Sequence, residues 1–578
     1  MKISKQTVSM QTRDGVRLDA NIYRPDTDEK LPVLLMRQPY GREIASTVVY
    51  AHPRWYAAQG YIVVIQDVRG RGTSEGEFDL FTNELADGLD TIEWVLTLPN
   101  HTGKVGMYGF SYQGMTQLYT AAHQPECLKA IAPAMVAYDL YTDWAYENGA
   151  FCLFANLAWA IQLAGETARI RGDEAAYLKL KAAANNLPLN GSIPANPELM
   201  REFAPDSFYH QWLNNPDPNA EYWKKRSEAM PLCEAVSFRA GLSPKYLLDN
   251  VDIPMLHVGG WFDPYLRGTI NLYRAMISQC QQPQHLLIAP WAHLPWGRKL
   301  GAVDYGIEAQ NPIDEIQIRW FDHWLKDIDT GLLEEAPISL FTMGSNSWQE
   351  FDCLPDNNIT YYLASDGLAS MREDSGMLWQ EEIEAVFLQD LPQTDLSEVF
   401  TEFDNSTDVL VHDPWRAVPA LGGHASFPSG SFERSHLDCR SDVLTYTTAP
   451  LESDLNLVGA ITLEVYCASV NPSFDLCAVL STVNPNGEVY NFTQGYIRVR
   501  AIDSNPQLIS IPLQPTCMQI ATDNSLRLSI SAACFPAYSV NSGDGKLPHE
   551  SRQIDNCIIT IEVYSGADYP SRLTINTV

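Results

Sequence analysis

Short apolar runs alternate with helix-like stretches over the first part of the chain. These runs are apolar on both faces, which is typical of strands buried in a parallel sheet. The runs occupy residues 32–36, 61–66, 105–108, 253–258 and 285–289. This alternation of strand and helix predicts an α/β domain built around a mostly parallel sheet.

The pattern changes twice further along the chain. Residues 144–247 lose the strand signal and become helical and rich in aromatic side chains, which predicts a helical cap over the sheet edge where loops gather. Residues 341–578 alternate with period two and carry turn signals, which predicts a C-terminal β-sandwich of jelly-roll type. The α/β domain is therefore predicted to comprise residues 1–143 and 248–340.

Composition narrows the possible partners. The 578-residue chain is 45% hydrophobic and has a formal net charge of −32, which opposes binding to nucleic acid or to an anionic membrane surface. Its first residues lack the apolar stretch of a signal peptide, and no run of about 18 apolar residues occurs. We therefore expect a cytoplasmic protein that binds neither membrane nor nucleic acid. The sequence is compatible with a homo-oligomer.

Cysteine and histidine spacing gives no sign of a metal site. The eleven cysteines are an odd number without a C-x-x-C pair, and the twelve histidines include no H-E-x-x-H motif. We expect no disulfide framework and no bound metal.

One strand-to-helix junction carries a candidate nucleophile. Residues 104–114 read KVGMYGFSYQG, so an apolar strand runs into a glycine-flanked serine, Ser111, and then into a helix. This is the arrangement of a nucleophile elbow, except that the usual G-x-S-x-G pattern has its second glycine where this chain has Gln113. The glycine follows one place later, at Gly114. The local sequence therefore leaves open a plain turn in which the serine caps the helix.

Two further strand ends supply the groups that a nucleophilic serine requires. A serine hydroxyl needs a histidine base, and the histidine needs a carboxylate to fix its tautomer. Asp263 follows the run at 253–258, and His293 follows the run at 285–289, in the order Ser, Asp, His of α/β-hydrolases. Taken singly, the aspartate could cap a helix and the histidine could pack in the core. Their joint occurrence favours a catalytic triad.

An oxyanion hole needs two hydrogen-bond donors. The backbone N–H of Tyr112, directly after the serine, is one by geometry. The loop after an early strand offers the phenol of Tyr40 as the second, although a tyrosine in a loop usually packs against its neighbours.

Six motifs together resemble the CocE/NonD hydrolase family. This family includes cocaine-esterase-like enzymes, α-amino acid ester hydrolases, glutaryl-cephalosporin acylases and X-Pro dipeptidyl-peptidases. The motifs are RQPYGR (37–42), QDVRGRGTSEGEF (66–78), DGLDTIEWV (87–95), GKVGMYGFSYQG (103–114), GGWFD (259–263) and APWAH (289–293). WLNNPDPNAEYW (212–223) resembles the family's cap, and TYTTAPLESDLNLVG (445–459) and LRLSISAACFPAY (526–538) resemble its C-terminal jelly roll.

The resemblance implies a role for each candidate residue. In this family the elbow has the sequence G-x-S-Y-x-G, so the position of Gly114 agrees with the family pattern. Ser111 is then the nucleophile, Asp263 and His293 complete the triad, and Tyr40 with the Tyr112 amide forms the oxyanion hole. The block at 67–78 is expected to be structural.

The sequence thus predicts a serine hydrolase that cleaves acyl esters or amides of a small molecule or short peptide through an acyl-enzyme, without a cofactor. One alternative is an X-Pro dipeptidyl-peptidase or α-amino acid ester hydrolase. The latter enzymes carry an acidic pair soon after the triad aspartate, and this pair is absent here. Asp143 and Glu147 could anchor a substrate amine, but we favour a solvated surface position for both. A remote alternative is a non-catalytic carbohydrate-binding protein.

The substrate pocket has three candidate residues. Trp144 and Glu147 lie at the start of the predicted cap, and Trp261 lies beside the triad aspartate. Aromatic residues here suggest a partly apolar acyl pocket, and core packing explains them equally well.

Overall fold

The computed structural model describes residues 2–43, 47–224, 243–380, 405–500 and 503–578. Part of the predicted cap, residues 225–242, lies outside the described residues, as do residues 381–404 and 501–502 of the predicted sandwich.

The described residues form eleven α-helices and twenty-five strands. The helices are α1 Pro53–Ala58, α2 Glu84–Val95, α3 Tyr112–Ala121, α4 Leu153–Arg171, α5 Glu174–Asn185, α6 Glu198–Phe203, α7 Phe208–Leu213, α8 Glu221–Lys224, α9 Leu266–Gln279, α10 Ile313–Lys326 and α11 Ser435–Asp438. The strands up to residue 351 are β1 Ile3–Gln11, β2 Arg17–Pro25, β3 Leu31–Gln38, β4 Ile62–Asp67, β5 His101–Phe110, β6 Leu128–Ala134, β7 Tyr146–Glu147, β8 Ala150–Phe151, β9 Met255–Phe262, β10 Gln284–Ala292, β11 Lys299–Leu300, β12 Val303–Asp304, β13 Ile338–Thr342 and β14 Ser347–Phe351. The later strands are β15 Asn357–Ala364, β16 Met377–Trp379, β17 Ser406–His412, β18 Val443–Thr447, β19 Leu455–Ser469, β20 Ser473–Val483, β21 Val489–Arg500, β22 Gln507–Ile520, β23 Ser525–Ser531, β24 Ile559–Ser565 and β25 Arg572–Thr577.

The first sheet has ten strands in the order β1-β2-β4-β3-β5-β6-β9-β10-β13-β14. In this order, the neighbouring strands β4, β3, β5, β6, β9, β10 and β13 run parallel to one another. At the two sides of the sheet, β1, β2 and β14 pair antiparallel. Because parallel strands need crossover connections, helices cover both faces of this sheet. The predicted α/β fold is confirmed.

Alternating side chains of each strand enter separate cores. Val33 and Leu35 of β3 pack in a core shared with α2, α3 and the cap helices. Leu34 and Met36 point to the opposite face, where they pack in a core shared with α1 and α10. All four side chains are buried, which explains why the strand reads as a continuous apolar run.

The first sheet extends past the predicted boundary at residue 340. Strand β13 continues it to Thr342, and the antiparallel strand β14 ends it at Phe351. The sequence prediction was wrong here because a half-exposed edge hairpin has the same period-two pattern as a sandwich strand.

The C-terminal strands form a β-sandwich that packs against the first sheet. Eleven strands, from β15 to β25, are joined in one hydrogen-bonded network. Its main apolar core includes Leu457 and Leu463 of β19 together with Leu286 of β10 and Ile338 of β13. A continuous apolar core therefore fixes the sandwich on the side of the sheet where β9, β10 and β13 lie.

The segment between β6 and β9 forms the predicted helical cap in its described part. It contains α4 to α8 and a short π-helical turn at Tyr141–Ala145. Among the described residues, the structure contains no helix whose length and apolar character would suffice to cross a membrane. The predicted cytoplasmic location stays a prediction.

Substitution of Gly114 by alanine tests the packing of α3 on the sheet. A Cβ atom at this position would lie 2.4 Å from Cγ1 of Val136 and 3.0 Å from the carbonyl oxygen of Ala134. We expect Gly114→Ala to lower the free energy of unfolding by about 1–3 kcal/mol, because overpacking exceeds the helix preference of alanine. Denaturant unfolding measures the difference.

The matched control is Gly191→Ala, since a Cβ atom at Gly191 would have no neighbour within 4 Å. A Gly114→Ala variant as stable as this control would contradict the packing.

Candidate active site

Four predicted site residues follow four strands of the first sheet. Tyr40 comes after β3, Ser111 after β5, Asp263 after β9 and His293 after β10. These strands are parallel, so their carboxyl ends meet at one edge of the sheet. The fold thus brings residues that are distant in the sequence to a common edge.

Ser111 occupies a strained turn between β5 and α3. Its backbone has φ 58° and ψ −126°, outside the regions that residues with a side chain prefer. The turn is tight: Gly109 has φ 137°, and a Cβ atom there would lie 2.5 Å from Cβ of Gln113. The backbone N–H of Ser111 donates to the carbonyl of Ala134 at 2.9 Å. This is the geometry of a nucleophile elbow, which projects the serine hydroxyl from the sheet edge.

His293 and Asp263 form a hydrogen-bonded pair. The Nδ1 atom of His293 lies 2.8 Å from Oδ1 of Asp263. The carboxyl group is fully buried, and this burial raises its pKa, while the hydrogen bond with His293 acts in the opposite direction. The pairing holds the Nδ1 side of the imidazole and leaves Nε2 to exchange a proton with a substrate or nucleophile.

The backbone of Asp263 is held by the sandwich. The side-chain amide of Gln514, on β22, donates to the backbone carbonyl of Asp263 at 2.6 Å in a buried environment. The other carboxylate oxygen, Oδ2, accepts from the N–H of Tyr265 at 3.2 Å. The C-terminal sandwich therefore helps to fix the position of the predicted triad aspartate.

Two aromatic rings enclose the imidazole of His293. The ring centroid of Phe110 lies 5.4 Å from it, and that of Tyr265 lies 4.9 Å away in an edge-on arrangement. The His293 side chain keeps 28% of its surface exposed, whereas Asp263 keeps none. The histidine is therefore restrained in orientation but reachable from outside.

The phenol of Tyr40 has its orientation fixed from the cap. The indole Nε1–H of Trp159, on α4, donates to the Tyr40 hydroxyl oxygen at 3.1 Å. Since an indole nitrogen can only donate, the phenolic hydrogen remains available for another acceptor. Burial raises the pKa of Tyr40 to about 12, partly opposed by hydrogen bonds from Trp159 and Ser111. Tyr40 is therefore a neutral donor beside Ser111 at physiological pH.

The backbone of the Tyr40 loop is held by two buried polar side chains. Oε1 of Gln38 accepts from the N–H of Tyr40 at 2.7 Å, and Nε2 of Gln38 donates to Asp67 at 2.7 Å. Asp67 also accepts from the backbone N–H of Arg42 at 2.6 Å. This part of the motif at 66–78 therefore has the bracing role expected of it.

Tyr112, whose amide was predicted to line the oxyanion hole, has a buried side chain. Its hydroxyl donates to Glu84 at 2.7 Å, and Glu84 in turn pairs with Arg37 at 2.6 Å. The ring stacks on Phe81 with 4.7 Å between centroids. These contacts fix the first residue of α3, and the N-terminus of a helix is a place where backbone N–H groups can bind an anion.

Trp144 belongs to an aromatic cluster next to the histidine. It stacks on Trp159 at 5.0 Å and packs against Tyr265 at 4.3 Å between centroids. Tyr265 lies between it and His293, so a direct contact of Trp144 with substrate stays a prediction.

Trp261 does not support the predicted pocket role. Its indole N–H donates to the carbonyl of Phe341, on β13, at 2.7 Å, and its ring is buried in the core shared with the sandwich. The sandwich covers this part of β9, and the Trp261 ring packs beneath it.

The predicted surface position of Glu147 and Asp143 was wrong. Glu147 is 2% exposed and pairs with Arg267 at 2.7 Å and with His424 at 3.0 Å. Burial alone would raise the pKa of Glu147, but the charge of Arg267 and the contacts with His424 and Tyr538 lower it to about 2. The sequence could not reveal these partners, because His424 and Tyr538 come from the distant sandwich.

Asp143 is also buried and engaged within the chain. It accepts from the backbone N–H groups of Tyr138 at 3.0 Å and Asp139 at 2.7 Å. The cavity that both carboxylates line has a volume of about 20 Å³, which is room for about one water molecule. Both predicted amine anchors are thus occupied by partners from the protein itself.

Two residues of the site were missed by the sequence reasoning. Trp159 lies within a helical aromatic stretch, and Gln514 lies in a sandwich strand, so neither has a local pattern that points to the site. Only the docking of the cap and the sandwich reveals their contacts. Among the described residues, no cluster of three or more His, Cys, Asp or Glu side chains is arranged to hold a metal ion.

Two family models match most of the chain. The X-Pro dipeptidyl-peptidase (S15 family) model matches residues 14–295, and that of the X-Pro dipeptidyl-peptidase C-terminal non-catalytic domain matches residues 333–574. The first match includes all four residues that meet at the sheet edge, and the second includes most of the sandwich.

Similar proteins match along nearly their whole length. Cocaine esterase from Rhodococcus sp. (strain MB1 Bresler) is 29% identical over 98% of this chain and 97% of its own. The crystal structure of an aminopeptidase from the marine sediment archaeon Thaumarchaeota archaeon has a TM-score of 0.77 at 21% identity, covering 99% of this chain and 96% of its own. An α-amino acid ester hydrolase structure has a TM-score of 0.74 at 19% identity, covering 100% and 97%. These two structures share the fold of this chain.

Substitution of Tyr40 by phenylalanine tests its role as an oxyanion donor. We expect Tyr40→Phe to lower kcat for an ester substrate by about 10²–10³-fold with little change in KM, because the donor acts on charge that develops in the transition state. Steady-state kinetics measure both constants.

The pKa of Tyr40 also sets an expected pH dependence. Because this pKa is raised to about 12, the phenol stays protonated and activity should not fall through its ionisation below about pH 10.

The control for Tyr40→Phe is Tyr177→Phe, which alters a half-buried phenol of the cap. A Tyr40→Phe variant as active as that control would exclude the phenol from the oxyanion hole.

Proposed function

The chain belongs to the CocE/NonD (S15) family of serine hydrolases, and on that premise we propose that Ser111, His293 and Asp263 are its catalytic triad. The observation that carries the proposal is the placement of a strained serine, a histidine–aspartate pair and a half-buried tyrosine at one sheet edge. No single one of these features requires catalysis, but together they provide every group that acyl transfer needs.

In the proposed first step, the hydroxyl oxygen of Ser111 attacks the carbonyl carbon of the substrate while His293 takes the hydroxyl proton. The buried carboxylate of Asp263 stabilises the imidazolium that forms. The carbonyl oxygen becomes an oxyanion that accepts hydrogen bonds from the Tyr40 phenol and the Tyr112 backbone N–H. His293 then donates its proton to the leaving alcohol or amine, and an ester bond to Ser111 remains.

In the second step, a water molecule attacks the acyl-enzyme by the same route. His293 accepts a proton from the water, and the same two donors stabilise the second oxyanion. The carboxylic acid is released and the Ser111 hydroxyl is restored. Activity should therefore fall on acidification, since a protonated imidazole cannot act as a base.

The preferred substrates are proposed to be acyl esters or amides without a free α-amine. The two carboxylates that could hold an ammonium group, Asp143 and Glu147, are buried and already bonded within the chain. Removing a carboxylate from such a pairing would leave Arg267 as an uncompensated buried charge. The aromatic cluster around Trp144 and Tyr265 favours an apolar acyl group.

A matched substrate panel tests this proposal on the wild-type protein and Ser111→Ala. The panel contains p-nitrophenyl acetate and butyrate, an α-amino acid ester with its N-acetylated counterpart, and an X-Pro p-nitroanilide. We expect Ser111→Ala to lower kcat by at least about 10³-fold, because the nucleophile is lost. We also expect the N-acetylated ester to be cleaved at least as fast as the free amine.

The control variant is Ser278→Ala, which removes an exposed serine hydroxyl from α9. Activity that survives in Ser111→Ala would contradict the mechanism. A strong preference for the free amine or for the X-Pro substrate would instead place the protein with the peptidases and ester hydrolases that bind an ammonium group.

A further inference from the structure

One arginine near the site is buried without a counter-ion. Arg71 is 1% exposed, and its Nη1 donates only to neutral partners, the carbonyl of Leu163 at 3.2 Å and the hydroxyl of Thr167 at 3.1 Å. Among the residues that the structure describes, its Nε finds no hydrogen-bond partner. Within the described part of the chain, no carboxylate oxygen lies within 4.0 Å of its guanidinium nitrogens.

The neighbouring arginines of the sheet edge are paired. Arg69, two residues earlier, binds Asp14 at 2.8 Å and Asp87 at 2.7 Å, and Arg37 binds Glu84 at 2.6 Å. The structural role expected for the block at 67–78 explains the contacts of Arg69. It does not explain an arginine whose charge is left without a partner, since burying such a charge is costly.

Two features reduce this cost and keep Arg71 charged. Its guanidinium lies over the ring of Phe78, 3.8 Å from the centroid, which is a favourable cation–π arrangement. Burial lowers its pKa to about 10, opposed by the neighbouring Tyr112, Glu166 and Tyr40. Arg71 therefore carries a positive charge at neutral pH.

The contacts of Arg71 link it to the cap helix that also holds Tyr40. Leu163 and Thr167 lie on α4, and Leu163 is one helical turn after Trp159, whose indole N–H fixes the Tyr40 hydroxyl. The Arg71 charge opposes the effect of burial on the pKa of Tyr40. Phe78, which lies beneath the guanidinium, packs against the Tyr112 ring with 5.9 Å between centroids. A charge held in the protein interior acts more strongly than one in solvent.

We propose that Arg71 is a positioning residue of the oxyanion hole, supplying a fixed and unneutralised positive charge that favours the oxyanion formed at Ser111. This inference rests on the proposed function. A preorganised charge that stabilises the oxyanion, while barely affecting the neutral ester, raises kcat without tightening substrate binding.

Three variants separate the charge of Arg71 from its contacts. Arg71→Gln removes the charge and keeps an amide donor, Arg71→Lys keeps the charge, and Thr167→Val removes one neutral partner. The readouts are kcat and KM for p-nitrophenyl butyrate and the inhibition constant of phenylboronic acid, which forms an anionic tetrahedral adduct with a catalytic serine. Thermal melting verifies that each variant is folded.

We expect Arg71→Gln to lower kcat about tenfold and to raise the inhibition constant of phenylboronic acid about tenfold. The KM should stay within about twofold of the wild-type value. Arg71→Lys and Thr167→Val should stay within about threefold of wild type in all three constants. Wild-type kcat in folded Arg71→Gln, or an equal loss in Arg71→Lys, would overturn the proposal.

If Arg71→Gln fails to fold, folded Arg71→Lys decides: retention of kcat within about threefold supports the proposal, and a greater loss overturns it. The outcome for Ser111→Ala is independent of these results. An inactive Ser111→Ala with an unaffected Arg71→Gln would remove only the role of Arg71, whereas an active Ser111→Ala would remove the proposed function itself.

Discussion

The hydrogen bond between His293 and the buried carboxylate of Asp263 is the interaction on which the site depends. It joins the ends of two neighbouring parallel strands and is enclosed by Tyr265 and Phe110. The backbone of Asp263 is held by Gln514 from the sandwich. A buried carboxylate needs such partners, because it would otherwise be costly to ionise. The α/β domain therefore does not build its site alone.

The cap and the sandwich meet the α/β domain in a second buried polar cluster. Glu147 comes from the cap, Arg267 from the helix after Asp263, and His424 and Tyr538 from the sandwich. Burying an ion pair of this kind gains little net stability over apolar packing, whereas breaking it by removing one partner costs about 3–5 kcal/mol. Its main consequence is therefore geometric: it links the cap, the helix after Asp263 and the sandwich at one point.

The sequence predicted the features that local patterns encode. The serine turn, the strand-end aspartate and histidine, and the class of fold all follow from apolar runs and the residues that end them. Features that depend on docking were not predictable. Trp159 and Gln514 contact the site only because distant segments pack together, and Glu147 reads as a surface acid until Arg267 and His424 are brought to it.

The domain boundary failed for a related reason. The hairpin of β13 and β14 alternates like a sandwich strand, although hydrogen bonding joins it to the first sheet. The burial of Trp261 could not be predicted, because its neighbours in sequence do not show which face of β9 is covered by the sandwich. Period and composition identify elements, whereas the partner of each face is a property of the assembled fold.

Covalent labelling most directly tests whether Ser111 is the nucleophile of this site. Purified protein would be treated with an alkyl fluorophosphonate, which reacts with activated serines. Enzyme kinetics would follow the residual esterase activity, and mass spectrometry would identify the modified peptide. We expect one label per chain, located on Ser111, with activity lost in proportion to labelling. Complete inactivation with the label on another residue, or full activity with Ser111 fully labelled, would contradict the account.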